Sequence, residues 1–96
     1  MTTILYIDDE PLVADASVQF LKHSGFEVEK ALSGKEALEK LRVGRYDAVI
    51  SDYQMPGMTG IELLRIIRSE IGDSPFILFT GKGREEVVIE AIESGV

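Results

Sequence analysis

Short unbroken apolar runs alternate with stretches whose apolar residues recur at three- and four-residue spacing, and this switch repeats along all 96 residues. An unbroken run such as Ile4-Leu5-Tyr6-Ile7 suits a strand buried on both faces, whereas the wider spacing suits a helix with one buried stripe. Pro11 fits the first turn of a helix in which Val13, Ala16, Ser17, Phe20 and Leu21 are expected to form the buried stripe, and Gly25 stops it. Residues 26–31 alternate apolar with charged side chains, as an edge strand would. Ser33 with Glu36 reads as a capping box, opening a helix that turns Ala37, Leu38 and Leu41 inward and ends at Gly44. Residues 46–51 are the expected third strand. Thr59 with Glu62 reads as a second capping box, starting a helix with Leu63, Leu64, Ile67 and Ile71. Residues 75–79 give a fourth strand, and Val87, Val88, Ala91 and Ile92 give a last helix over 84–94.

Strands alternating with helices imply an α/β fold: a parallel sheet with right-handed crossovers and helices on both faces. A chain of 96 residues holds one domain, residues 1–96. There is no cysteine, which excludes a disulfide framework, a thiolate zinc site and a thiol nucleophile. Seventeen acids against ten bases leave a net charge of −7 with no Lys/Arg stripe, so direct binding of nucleic acid is not expected. Met1 runs almost directly into a strand, without a leader pattern, and no apolar run is long enough to span a bilayer. A cytoplasmic protein without membrane contact is the expectation.

The acids are not spread evenly. Asp8-Asp9 follows the first strand and Asp52 follows Ala48-Val49-Ile50-Ser51, while Thr80 ends the fourth strand. In a parallel sheet, ligands bind outside the carboxyl ends of the strands, at the point where strand order reverses. Three carboxylates gathered there repel by ~1 kcal/mol per contact pair in water, and by several-fold more when partly buried. A hard divalent cation with oxygen ligands relieves that repulsion. A carboxylate held ionised beside such an ion can attack a phosphoryl group.

Each residue also has a plainer reading. Asp52 alone could cap a loop, and Asp8-Asp9 could serve the dipole of the helix that starts at Pro11, which is the role expected of Glu10. Thr80 could satisfy loop backbone, or could donate a hydrogen bond to a phosphoryl oxygen. Lys82 is expected to be a solvated loop lysine. The turn from Met55 to Gly60 would hold the backbone so that a carbonyl near Gln54 faces the metal. His23, in the last helical turn, has no second ligand and reads as structural.

Three pieces together carry a resemblance: Asp8-Asp9-Glu10, the stretch Asp52-Tyr53-Gln54-Met55-Pro56-Gly57-Met58-Thr59-Gly60, and Thr80-Gly81. With the strand–helix order, the chain from Ile4 to Val96 resembles the CheY-like receiver domain of two-component response regulators. The resemblance implies a flavodoxin-like, doubly wound parallel sheet of strand order 2-1-3-4. It implies that Asp52 accepts a phosphoryl group from a sensor histidine kinase or phosphotransfer protein. It further implies Mg²⁺ held by Asp8, Asp9, Asp52 and the Gln54 backbone carbonyl, with Thr80 as the switch hydroxyl.

The family's fifth strand and helix, with their site lysine, have no counterpart before the sequence stops at Gly95-Val96. The expectation is a C-terminally incomplete receiver whose open fourth strand invites self-association. The alternative is a receiver-like interaction module that works without phosphorylation. A Mg²⁺-dependent phosphohydrolase using Asp52 is a third reading, but Asp52-Tyr53-Gln54 offers no second acid two residues on. No enzyme is expected.

Overall fold

The computed structural model describes residues 2–79, and the expected fourth helix, Thr80 and Lys82 lie outside them. The elements run β1 (Thr3–Ile7), α1 (Pro11–His23), β2 (Glu27–Ala31), α2 (Gly34–Val43), β3 (Ala48–Asp52), α3 (Gly60–Glu70) and β4 (Phe76–Phe79). All pairings are parallel and the sheet order is β2-β1-β3-β4, as the resemblance implied. The step from β1 to β2 runs one way across the sheet, and the later steps run the other. Right-handed crossovers then put α1 on one face and α2 with α3 on the opposite face. The reversal lies between β1 and β3, the two central strands.

Two cores follow from this arrangement. On one face Leu5, Ile7, Val49, Phe76 and Leu78 of the strands pack against Leu38, Leu41, Leu63, Leu64 and Ile67 of α2 and α3. Each such side chain contributes about 1.5–3 kcal/mol on burial. On the other face Ile4, Tyr6 and Val28 pack against Ala14 and Val18 of α1.

The α1 stripe differs from the sequence expectation. Ala14 and Val18 are buried, whereas Val13 is 44% and Phe20 is 70% exposed. The helix packs on β2 and β1 through Ala14 and Val18, with Leu21 partly buried against the same core as expected. Ala16, Ser17, Phe20 and Leu21 border an open groove of about 370 Å³ floored by Tyr6 and Ile50. The third strand also starts two residues later than expected, at Ala48, and includes Asp52. Before it, the Asp47 side chain accepts from the Thr3 N–H at 2.8 Å, and its own N–H donates to the Thr3 carbonyl.

The two helix starts also separate. At α3 the box is complete: Thr59 Oγ1 accepts from the Glu62 N–H, and Glu62 Oε1 accepts from the Thr59 N–H at 2.9 Å. At α2 the Ser33 hydroxyl accepts from the Glu36 N–H, but the Glu36 carboxylate reaches back to the Leu32 N–H at 3.0 Å. The reciprocal bond expected at Ser33 is therefore made one residue earlier. β4 is the last strand of the described sheet, and the open-edge expectation depends on residues 80–96, outside the described range. Among the described residues no helix is long and apolar enough to cross a membrane.

Candidate phosphoacceptor and metal site

β1 and β3 pair with Ile7 opposite Ser51, so the residues that follow, Asp8 and Asp52, stand level at the carboxyl edge of the two central strands. Asp9 lies one residue further on. One carboxylate oxygen from each of the three lies within 4.8 Å of the others. Asp8 and Asp52 are 2% and 1% exposed, and Asp9 is half-buried. The donors are all hard oxygens, which suits a divalent cation of the magnesium or calcium type.

Burial raises the Asp8 carboxyl above its usual range, and the charges of Asp52, Asp9 and Glu10 add to the rise. A hydrogen bond from the Glu10 N–H to Asp8 Oδ1, at 3.0 Å, works against it. Asp8 therefore also holds the backbone at Glu10, the residue that precedes α1. The same two carboxylates are felt by Tyr6. Its phenol is raised first by burial and then by Asp8 and Asp52, although its hydroxyl donates to Ser17 Oγ at 3.0 Å.

The stretch after Asp52 is shaped by backbone geometry. The Gln54 N–H points to Asp52 Oδ1 across 3.4 Å, longer than an ordinary hydrogen bond. Gly57 holds φ +80°, a conformation that suits glycine, and turns the chain back toward α3. The Gly60 N–H then donates to the Tyr53 carbonyl at 2.7 Å. Gly60 itself lies so close to the strand end that an added Cβ would stand 2.7 Å from the Asp52 carbonyl oxygen and collide with Leu78. An open cleft of about 400 Å³ beside the acids is lined by Asp9, Gln54, Met55, Pro56 and Thr59.

The structure thus brings together Asp8, Asp9, Asp52 and the Gln54 segment. His23 lies away from them in the last turn of α1, beside Lys22, where a cation suits the helix end. Sequence reasoning passed over Ser51, which is wholly buried and donates its hydroxyl to the Asp52 carbonyl at 2.9 Å. Its signal was a polar residue directly after the apolar run Ala48-Val49-Ile50.

Residues 4–96 match the response regulator receiver domain, and the chain belongs to that family. It is a receiver rather than an enzyme, from a two-component system. It is 36% identical to the chemotaxis protein CheY-3 of Vibrio cholerae over 96 residues, covering 97% of this chain and 74% of that protein. TrrA of Thermotoga maritima, solved in complex with Mg²⁺-BeF, is 34% identical with a TM-score of 0.82, over 97% of this chain and 90% of that one. A second structure holds TrrA in complex with the histidine kinase ThkA. There the identity is 39% and the TM-score 0.78, over 90% of this chain and 76% of that one.

Proposed function

We propose that this receiver domain accepts a phosphoryl group on Asp52 from a partner histidine kinase, with Mg²⁺ held by Asp8, Asp9, Asp52 and the Gln54 backbone carbonyl. The observation that carries the reading is the cluster itself, three carboxylate oxygens within 4.8 Å of one another at the edge of the two central strands. Two of these acids are almost wholly buried, and a fold keeps buried like charges together where a cation compensates them.

A bound Mg²⁺ would neutralise charge on the carboxylates and on the incoming phosphoryl oxygens. Asp52, ionised, attacks phosphorus through one carboxylate oxygen as the bond to the donor breaks, and the leaving group takes its electron pair away. Asp8, tied to the Glu10 N–H, holds its carboxylate in place. Asp9, half-buried, lines the cleft beside the acids, where a phosphodonor would approach. The complex of TrrA with ThkA supports a histidine kinase as the source of the phosphoryl group. Thr80 would supply the switch hydroxyl.

The test is intact mass after incubation with acetyl phosphate and Mg²⁺, beside Asp52→Asn. A single Mg²⁺-dependent phosphoryl adduct, lost in the variant, is expected. A folded wild-type chain that takes up no phosphoryl group, or a variant that still takes one up, overturns the assignment.

A further inference from the structure

Ser51 stands on the β3 face shared with Val49, against the core of α2 and α3, and is 0% exposed. Alanine or valine would pack that face without a polar atom to satisfy. The hydroxyl instead donates to the Asp52 carbonyl at 2.9 Å. The same oxygen is approached from the other element by Gly60, where a Cβ would come within 2.7 Å of it. The next carbonyl, of Tyr53, is held by the Gly60 N–H at 2.7 Å. Two successive peptide planes after the Asp52 α-carbon are therefore fixed.

Those planes set where the Gln54 N–H and α-carbon lie. The ψ angle of Asp52 leaves its own Cβ on the strand but swings everything that follows, including the Gln54 N–H that faces Asp52 Oδ1 at 3.4 Å. A turn of that angle would carry the Gln54 backbone away from the acids while β3 stayed in register.

We propose that Ser51 is a positioning residue for the cation site: its buried hydroxyl, braced by the bare α-carbon of Gly60, locks the Asp52 peptide so that the Gln54 backbone faces the acid cluster. This rests on reading Asp8, Asp9, Asp52 and Gln54 as a Mg²⁺ site. Ser51 is not one of the proposed ligands, and its hydroxyl acts through the Asp52 main chain. A hydroxyl that merely satisfied a strand-end carbonyl would affect stability and leave cation affinity in the folded protein untouched.

The experiment is Mg²⁺ titration calorimetry on the full chain, wild type, Ser51→Ala and Ser51→Thr, each below its own melting temperature as measured without Mg²⁺. Ser51→Ala is expected to bind Mg²⁺ about tenfold more weakly and Ser51→Thr, which keeps the donor, within about twofold of wild type, on the scale of other residues that orient metal ligands. Ser51→Ala binding as tightly as wild type overturns the proposal, whatever its melting temperature. Equal losses in both variants also overturn it, because packing and not the hydroxyl would then be responsible. If Ser51→Ala does not fold, Ser51→Cys takes its place with the same two outcomes. A wild-type chain that takes up no Mg²⁺ removes the metal reading itself, and this inference with it.

Discussion

The carboxylates of Asp8 and Asp52 approach within 4.8 Å of each other while both are almost wholly withdrawn from solvent. Without a cation this contact is unfavourable; burial first, and then the charge of Asp52, raises the Asp8 carboxyl above its usual range. The folded chain keeps its proton on Asp8 to a higher pH than the unfolded chain does. Stability of the ion-free protein therefore falls as pH rises from about the ordinary value of 3.8 through the raised one. Asp8→Asn, which can still accept from the Glu10 N–H, should stabilise the ion-free protein at neutral pH by on the order of 1 kcal/mol. It should also abolish stabilisation by Mg²⁺. Thermal melts with and without Mg²⁺ check both, and an ion-free melting temperature at or below wild type would refute the repulsion.

Asp9 is the half-buried member of the cluster and lines the cleft with Gln54. Its removal costs a ligand without opening a core. Asp9→Ala should weaken Mg²⁺ binding by at least about tenfold, with little change in ion-free stability. An unchanged titration would take Asp9 out of the site.

Gly60 packs its α-carbon on the Asp52 backbone and the Leu78 side chain. A methyl group there must displace main chain as well as side chain. Gly60→Ala should cost about 1–3 kcal/mol, as overpacking of a filled core does. Gly72, whose added Cβ would meet nothing within 4 Å, is the control, and Gly72→Ala should be near neutral or stabilising. Urea midpoints of the two variants decide, and equal midpoints would count against the close approach.

Tyr46 donates its hydroxyl to Glu29 Oε1 at 2.7 Å, and its phenol is pushed up to about 12 by burial first, then by that bond and the Glu29 charge. The unfolded chain loses this proton near the ordinary value of 10, so stability falls as pH rises from there toward 12. Tyr46→Phe should flatten that part of the alkaline limb. Melting temperature against pH, for both proteins, shows whether the slope survives the substitution.

Phe20 and Leu63 make a contrasting pair, one 70% exposed and the other 0%. Phe20→Ala should change stability by no more than about 0.5 kcal/mol, as surface substitutions do. Leu63→Ala should cost about 2–5 kcal/mol. Denaturant unfolding of both variants tests which side of each helix carries the fold.

Much of the architecture was legible because its signals are local. The apolar runs marked the strands within two residues, and the Thr59–Glu62 spacing marked the start of α3. The acids could be placed at one edge because in a parallel sheet every strand end points the same way. The inner side of α1 could not be read so simply. Val13, Ala16 and Phe20 are as apolar as Ala14 and Val18, and the packing of the helix on β2 and β1 chose between them. The Glu36 carboxylate likewise had two backbone donors within reach, and the entry path of the chain at Leu32 selected one.

The amino-acid order alone determined the alternation of strand and helix, and set Asp8, Asp9 and Asp52 at strand ends, since periodicity and position along a strand are properties of neighbouring residues. Only the tertiary structure decided that Asp8 and Asp52 share one buried contact, and that Gly60 closes on the carbonyl to which the Ser51 hydroxyl is bound. Those relationships join segments far apart in the chain. They exist because β1 and β3 pair in one register and α3 packs back against the end of β3, which no local pattern encodes.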